Sequence, residues 1–170
     1  YYWPQVPIIR TTNAKIKVYD STNPAINGTT PTFNIIGSLS LSIPNGGQNW
    51  EVLSTDNLIV WNATAVPTVN IYYSINGTTG PFVYSKSADG SLGSTNFTVP
   101  DVVTNQARIK ITDATNENIT YDISDDDFKF VEKFDITFPE DGVVLVANDT
   151  YQINWTRKSP SACPYVNLWF

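Results

Sequence analysis

Short runs of β-branched and aromatic residues recur along the chain, and each is bounded by turn-forming residues. Within these runs apolar and polar positions alternate with a period of two, which is the period of a strand with one buried face. No stretch keeps the 3.6-residue period of an amphipathic helix. The pattern therefore predicts an all-β protein, whose clearest strands are residues 58–61, 69–73, 82–84, 95–99, 107–111 and 128–131.

The same alternation predicts which side chains face the core. Ile59 and Trp61 lie two residues apart and face one side of their strand, whereas Asn62 faces the other side. By the same reasoning Trp155 faces inward and Asn154 outward. We therefore expect the two Trp residues to pack in hydrophobic cores rather than to form a sugar-binding surface.

Part of the sequence is repeated within the chain. Residues 14–20, AKIKVYD, resemble residues 107–113, ARIKITD, at an offset of 93. Trp61 aligns with Trp155 at an offset of 94, and other matches fall at offsets up to 97. Offsets that change by a few residues indicate short insertions in loops, as expected for diverged tandem domains.

The repeat divides the chain into three parts. Residues 39–131 form the complete unit, and its length suits an immunoglobulin-like sandwich. Residues 1–38 match only the last strands of that unit, and residues 132–170 match only its first three. Two or three strands expose edges and an apolar face. We therefore expect each partial unit to be completed, either head to tail by a neighbouring chain or by residues of a longer chain.

Six short motifs follow one another in this order: SIPNGGQNW (42–50), IVWN (59–62), VNIYYS (69–74), TVP (98–100), ARIKITD (107–113) and SDDDF (124–128). Together they resemble the Ig-like repeat of the Ser/Thr-rich, GPI-anchored membrane family, which is related to cell-wall glucan-synthesis proteins. The resemblance implies tandem immunoglobulin-like antiparallel β-sandwiches in an extracellular surface protein, and it implies no catalytic site. The family usually has an aromatic-rich strand before the Val-Pro turn, where this chain has Asn96-Phe97-Thr98.

The composition argues against several classes of function. The 170 residues include 10 basic and 16 acidic side chains, a net charge of −6 that argues against a nucleic-acid partner. The absence of His excludes His-based acid–base catalysis and His-ligated zinc. No apolar run approaches the ~18 residues of a membrane span. We therefore expect no enzymatic activity, no cofactor, no metal site and no membrane span. The start Tyr1-Tyr2-Trp3 and the absence of Met suggest a processed piece of a larger precursor.

Seven Asn-x-Ser/Thr sequons are the strongest chemical signal in the sequence. Alternation directs the strand-borne ones outward, where a glycan can attach without disturbing a core. A protein with 17 Asn and 20 Thr also generates sequons through composition alone, so both interpretations stand. The candidate glycosylation sites are Asn27, Asn62, Asn76, Asn96, Asn118, Asn148 and Asn154.

Two weaker candidates remain. The acidic residues Asp122, Asp125, Asp126 and Asp127 could bind Ca²⁺ through carboxylate oxygens, but they lack EF-hand spacing, and a solvated turn is the simpler interpretation. Cys163 lies in the predicted turn between the second and third strands of the last partial unit. It could form an intermolecular disulfide in an oxidising compartment or stay a lone thiol.

The sequence predicts a structural extracellular glycoprotein that forms the repeating unit of a surface filament, stalk or sheet. Its expected partners are other copies of itself and its attached glycans. The alternative is a carbohydrate-binding or accessory Ig-like module of a larger secreted protein. An exposed row of aromatic side chains on one sheet face would favour this alternative. A face covered by glycans or by a neighbouring chain would favour the structural role.

Overall fold

A computed structural model describes residues 1–159 and 161–169 of the chain. Within these residues every regular element is a β-strand except for one 3-10 turn at Gly90–Leu92, so the all-β prediction is confirmed. In this described part of the chain fifteen strands form five separate sheets, and all but one of the strand pairs are antiparallel.

The central unit, residues 38–131, contains nine strands in two sheets. Its strands are β5 (Ser38–Ile43), β6 (Asn49–Glu51), β7 (Asn57–Thr64), β8 (Thr68–Ser74), β9 (Val83–Asp89), β10 (Ser94–Phe97), β11 (Thr104–Asp113), β12 (Tyr121–Ile123) and β13 (Phe128–Val131). The smaller sheet has the order β10-β7-β5. The larger sheet has the order β6-β13-β11-β8-β9, and β12 also pairs with β11. Each of the six predicted strands overlaps an observed one.

One hydrophobic core joins the two sheets of the central unit. The smaller sheet contributes Ile59 and Trp61, and the larger sheet contributes Ile109, Ile111 and Phe130. All five side chains are buried, and burial of such a side chain contributes about 1.5–3 kcal/mol. The predicted inward orientation of Ile59 and Trp61 is therefore confirmed.

One strand pair in the central unit is parallel and departs from the otherwise antiparallel pairing that the sequence predicts. β6 lies beside β13, with Trp50 opposite Phe130. After β5 the chain leaves the smaller sheet and enters the larger one, where it runs in the same direction as the last strand. Gly46 and Gly47 make this crossing with φ angles of 128° and 78°, which glycine adopts without a steric penalty. The amide of Gly47 donates to the carbonyl of Asp127 at 3.0 Å and fixes the end of the crossing.

The N-terminal segment, residues 1–37, forms two small antiparallel pairs, β1 with β4 and β2 with β3. Its strands are β1 (Thr11–Ala14), β2 (Lys17–Tyr19), β3 (Asn27–Thr29) and β4 (Phe33–Ile35). Ala14 lies opposite Phe33, as Ala107 lies opposite Phe128 in the central unit. In both ladders the register shifts within the three residues before this pair. β1 and β4 therefore have the register of β11 and β13.

The turn after β2 also matches the turn after β11. The Asp20 carboxylate accepts a hydrogen bond from the amide of Thr22 at 2.7 Å, and the Asp113 carboxylate accepts one from the amide of Thr115 at 3.0 Å. The amide of Asp20 closes its turn on the carbonyl of Ile26, as the amide of Asp113 does on that of Thr120. Sequence and hydrogen bonding therefore agree across offsets of 93 and 94 residues.

In the C-terminal segment, residues 132–159 and 161–169 contain one antiparallel pair, β14 (Phe134–Phe138) and β15 (Asn154–Arg157). Ile136 lies opposite Trp155, as Leu41 lies opposite Trp61, and both ladders shift register immediately afterwards. β14 and β15 therefore have the register of β5 and β7.

A turn between these strands also recurs. Leu53 and Asn148, 95 residues apart, have positive φ angles of 60° and 74°. Each is the third residue of a four-residue turn closed by the same type of hydrogen bond. The amide of Ser54 donates to the carbonyl of Glu51, and the amide of Asp149 donates to that of Val146, both at 3.2 Å.

The two terminal segments contact the central unit at opposite ends of β11. At one end Arg10 pairs with the buried carboxylate of Asp113, the last residue of β11, at 2.8 Å. At the other end Ser161 donates a hydrogen bond to Asp101, three residues before β11, at 2.5 Å. A hydrogen bond from the Ser159 hydroxyl, and secondarily the one from Ser161, lower the pKa of Asp101. The central unit is therefore anchored to a different segment at each end.

Candidate functional surfaces

All seven sequon asparagines have exposed side chains. Two of them lie on the outer face of the smaller sheet: Asn62 is opposite Ser40 on β5, and Asn96 on β10 is opposite Leu58. Their strand neighbours Trp61 and Phe97 are buried on the other face. Glycans at Asn62 and Asn96 would therefore extend over the smaller sheet without touching the core.

The other sequons lie in turns and in the terminal segments. Asn76 follows β8, and Asn118 lies in the turn between β11 and β12. Asn27 begins β3, and its side-chain nitrogen donates to the carbonyls of Pro24 and Ala25 at 3.0 and 3.1 Å. Asn148 and Asn154 lie in the C-terminal segment. No sequon asparagine lies within a strand of the larger sheet.

The outer face of the larger sheet carries a cluster of aromatic side chains, here called the aromatic face: Phe82, Tyr72, Tyr84 and Tyr121, together with Lys110. Tyr72 and Tyr84 lie opposite each other on β8 and β9, with ring centroids 5.6 Å apart. The Lys110 ammonium group lies 4.9 Å from the centre of the Tyr121 ring and 5.8 Å from that of Phe82. Tyr84 and Tyr121 are 54% and 49% exposed, so both rings are accessible to a ligand.

Hydrogen bonds hold the polar groups of the aromatic face in place. Glu117 accepts hydrogen bonds from the Asn70 amide at 2.5 Å and from the Tyr72 hydroxyl at 2.9 Å. Ser87 donates to Asn70 at 2.6 Å and lies 3.0 Å from the Tyr84 hydroxyl. Partial burial, and secondarily Glu117, raise the pKa of Tyr72, so its hydroxyl stays protonated and donates at neutral pH. The face therefore presents fixed donors and acceptors beside exposed rings.

The acidic run near the last strand of the central unit contacts other protein groups. Asp127 pairs with the Arg108 guanidinium at 2.5 Å, and Asp126 lies 3.6 Å from it. Asp122 accepts a hydrogen bond from the amide of Leu41 at 2.7 Å, and Asp125 accepts one from the side chain of Asn45 at 2.6 Å. These contacts join β5 and the β5–β6 turn to the end of β12. Among the described residues, no group of three or more His, Cys, Asp or Glu could hold a metal ion.

The five Trp residues occupy different environments. Trp61 and Trp50 belong to the core, at 2% and 6% exposure. Trp155 is half-buried in the C-terminal segment. Trp3 packs edge-on against Phe33, and Trp169 is 92% exposed. The aromatic face is thus built from Tyr and Phe rather than from Trp.

Cys163 is a free, partly buried cysteine in the C-terminal segment. Its backbone carbonyl accepts a hydrogen bond from the Arg157 guanidinium, which ties the loop after β15 back to that strand. An intermolecular disulfide at Cys163 remains a prediction.

Comparisons with known protein families, with curated proteins and with solved structures find no match. No helix in the described part of the chain is long and apolar enough to cross a membrane. Function is therefore inferred from the sequence and from the geometry of the two outer faces and the terminal segments.

Proposed function

We propose that the chain is a structural extracellular glycoprotein, built from tandem immunoglobulin-like β-sandwiches, that forms the repeating unit of a surface filament, stalk or sheet. The observation that carries the proposal is the recurrence of strand register. The N-terminal segment has the register of β11 and β13, and the C-terminal segment has that of β5 and β7. Such agreement at long offsets is the expected result of tandem duplication.

The architecture of the central unit supports the immunoglobulin-like part of the proposal. Two mainly antiparallel sheets share one core, and a buried Trp lies on a central strand of the smaller sheet. The first and last parts of the unit meet through the parallel pair β6–β13. This arrangement places the chain ends of the unit at its periphery, where further units can be attached in series.

The surface chemistry supports an extracellular, glycosylated role. Charged residues make up 15% of the chain, against about 25% in an ordinary soluble domain. Uncharged polar side chains and glycans would supply the hydration that charges supply elsewhere. The outward position of the sequons on the smaller sheet leaves room for such glycans.

Glycosylation is tested by secretion of the 170-residue chain from a eukaryotic host. We expect the intact mass to exceed that of the polypeptide by several glycans, and enzymatic deglycosylation to remove this excess. Asn62→Gln should lose one glycan, because it removes an exposed acceptor. Asn105→Gln is the matched control, because Asn105 is exposed but not part of a sequon. A secreted protein with the mass of the bare polypeptide would contradict the proposal.

The aromatic face favours a second candidate function, carbohydrate binding by an Ig-like module. Aromatic rings present an apolar surface on which the C–H groups of a sugar ring can stack, and fixed polar groups beside them can hydrogen-bond its hydroxyls. Tyr84 and Tyr121 supply exposed rings, and Asn70, Ser87 and Lys110 supply the polar groups. The ligand class is a neutral or weakly acidic polysaccharide.

Affinity electrophoresis in gels containing a soluble glucan or a soluble mannan tests this candidate. If the face binds either polymer, Tyr84→Ala should weaken binding about two- to twelvefold, because a stacked ring contributes about 0.5–1.5 kcal/mol. Tyr84→Phe keeps the ring and should retain most of the affinity. Tyr19→Ala removes an exposed Tyr of the N-terminal segment and serves as the control. Unchanged mobility in both polymers, or equal losses for Tyr19→Ala and Tyr84→Ala, would rule the face out.

A further inference from the structure

The central unit shows how the two apolar faces of a complete unit meet. Leu41 on β5 and Trp61 on β7 form one face. Ile109 and Ile111 on β11, with Phe130 on β13, form the other. All five belong to the same core, and the most exposed of them, Leu41, is only 4% exposed. Each face thus buries the other almost completely.

The C-terminal segment carries the counterpart of the first face, and among the described residues only the stretch 165–168 lines the groove beside it. By register Ile136 corresponds to Leu41 and Trp155 to Trp61. Ile136 is 65% exposed, against 4% for Leu41. An open apolar groove of about 300 Å³ runs along this face, lined in part by Phe134, Ile136, Ile153, Trp155 and Leu168.

The N-terminal segment carries the counterpart of the second face. Ile16 and Val18 occupy the positions of Ile109 and Ile111 at the offset of 93 residues, and their hairpin has the same register. Ile16 and Val18 are 41% and 70% exposed, whereas Ile109 and Ile111 are completely buried. One chain therefore contains both halves of a second core, each open to solvent.

The two halves of one chain cannot cover each other. The N-terminal segment contacts the Asp113 end of β11, and the C-terminal segment contacts Asp101 beyond the other end. The ten residues of β11 span about 30 Å. A second copy of the chain carries the matching half without this restriction.

We propose that residues 11–36 of one copy dock onto residues 134–157 of a second copy and complete an immunoglobulin-like unit between the two chains. This inference rests on the repeat in the proposed function, and it names the partner. The occupant of the groove is the β1–β4 region of a second copy, with Ile16 and Val18 packed on Ile136 and Trp155.

The parallel pair of the central unit specifies the register of the contact. Lys129 lies opposite Asn49 there, and Phe130 lies opposite Trp50. At the offset of 95 residues, Asn34 of one copy should lie opposite Val144 of the other. Val144 is 85% exposed and lies outside any strand of the single chain, so it is available to pair.

The contact joins different surfaces of the two copies, so it is heterologous. Each copy keeps one free half after docking, and further copies can add at both ends. Unless the rotation between copies closes a ring, repetition gives an open linear filament. The exposed position of Asn154, whose counterpart Val60 lies outside the central core, leaves its glycan clear of the contact.

Complementation between two damaged chains tests the proposal by sedimentation velocity. Val18→Asp alters the N-terminal segment, which docks, and Ile136→Asp alters the C-terminal segment, which accepts it. Both side chains are exposed in the single chain, so neither substitution removes a core contact. We expect the wild type to form oligomers that grow with concentration and each variant alone to be monomeric. An equimolar mixture of the two variants should form a one-to-one dimer and nothing larger, because only one intact pair of halves remains.

Cysteine crosslinking tests the register. In a Cys163→Ser background, a mixture of Asn34→Cys and Val144→Cys chains should form a disulfide-linked dimer on mild oxidation. Cross-strand neighbours lie within the distance that a disulfide can bridge. A mixture of Thr22→Cys and Val144→Cys chains is the mismatched control, because Thr22 lies in the exposed turn after β2.

A wild type that stays monomeric at all concentrations, a mixture of variants that forms no dimer, or equal crosslinking of the matched and mismatched pairs would overturn the proposal. Oligomers formed by Val18→Asp or Ile136→Asp alone would overturn it as well. None of these outcomes changes the glycosylation or the melting of the central unit. Failure of docking between copies is thus distinguishable from failure of the proposed function.

Discussion

Trp61→Ala is expected to lower the free energy of unfolding of the central unit by about 3–5 kcal/mol, because truncating a buried aromatic side chain leaves a cavity. Trp61 is 2% exposed and belongs to the core that both sheets share. Its indole nitrogen also donates to the carbonyl of Gly90 at 3.0 Å, and this carbonyl would lose its partner. A loss of this size is a large part of the stability of a small domain.

Urea denaturation followed by far-UV circular dichroism measures this loss. Trp155→Ala is the matched control, since Trp155 has the same register position in the C-terminal segment but is only half-buried. Under conditions where the chain is monomeric, Trp155→Ala should change the stability of the central unit by less than about 0.5 kcal/mol. Equal effects of the two substitutions would show that Trp61 does not lie in a separate, complete core.

Gly90→Ala is expected to destabilise the central unit by about 1–3 kcal/mol, the usual cost of overpacking a core. A Cβ atom on Gly90 would lie 1.9 Å from the carbonyl oxygen of Val66. The backbone would have to move, although the amide of Gly90 donates to the carbonyl of Pro67 at 2.9 Å and its carbonyl accepts from Trp61. The substitution therefore disturbs the contact between the 3-10 turn and both sheets.

The same denaturation experiment measures the effect of Gly90→Ala. Gly28→Ala on β3 is the control, because a Cβ atom there would meet no other atom within 4 Å. We expect its effect to stay within about 0.5 kcal/mol. If Gly90→Ala were as stable as the wild type, the close approach of Gly90 to Val66 would be wrong.

Alternation predicted the parts of the fold in which long strands have one buried face. β7 illustrates this: Ile59 and Trp61 are buried on one face, and Asn62 on the other face is exposed. The repeat likewise predicted that Trp155 corresponds to Trp61, and the two ladders have the same register. Both signals are local or come from direct comparison of segments, so they can be read without knowledge of long-range pairing.

The parallel pair could not be predicted in this way. β6 has only three residues, too few for a clear period, and its partner β13 lies about 80 residues later in the sequence. The burial of Trp50 follows from this pairing, because the strand places its ring 4.9 Å from that of Phe128. A short strand that changes sheets is determined by tertiary packing.

The aromatic face was also missed, although its residues are visible in the sequence. Alternation places Tyr72 on the outer face of β8, but Tyr84 lies opposite it only because the β8–β9 ladder shifts between Ile71 and Tyr72. Tyr121 approaches through β12, which pairs with β11 over three residues. Register shifts and short edge pairings leave no periodic signal, so the cluster emerges only in three dimensions.

The parallel pairing of β6 with β13 has a mechanical consequence. These two strands lie near the opposite chain ends of the central unit, so tension along a filament would pull them in opposite directions along their common axis. Hydrogen bonds such as the one from the amide of Val52 to the carbonyl of Val131, at 2.9 Å, would then bear the load together rather than break one after another. In such a filament the short parallel patch would oppose extension through shear of these hydrogen bonds.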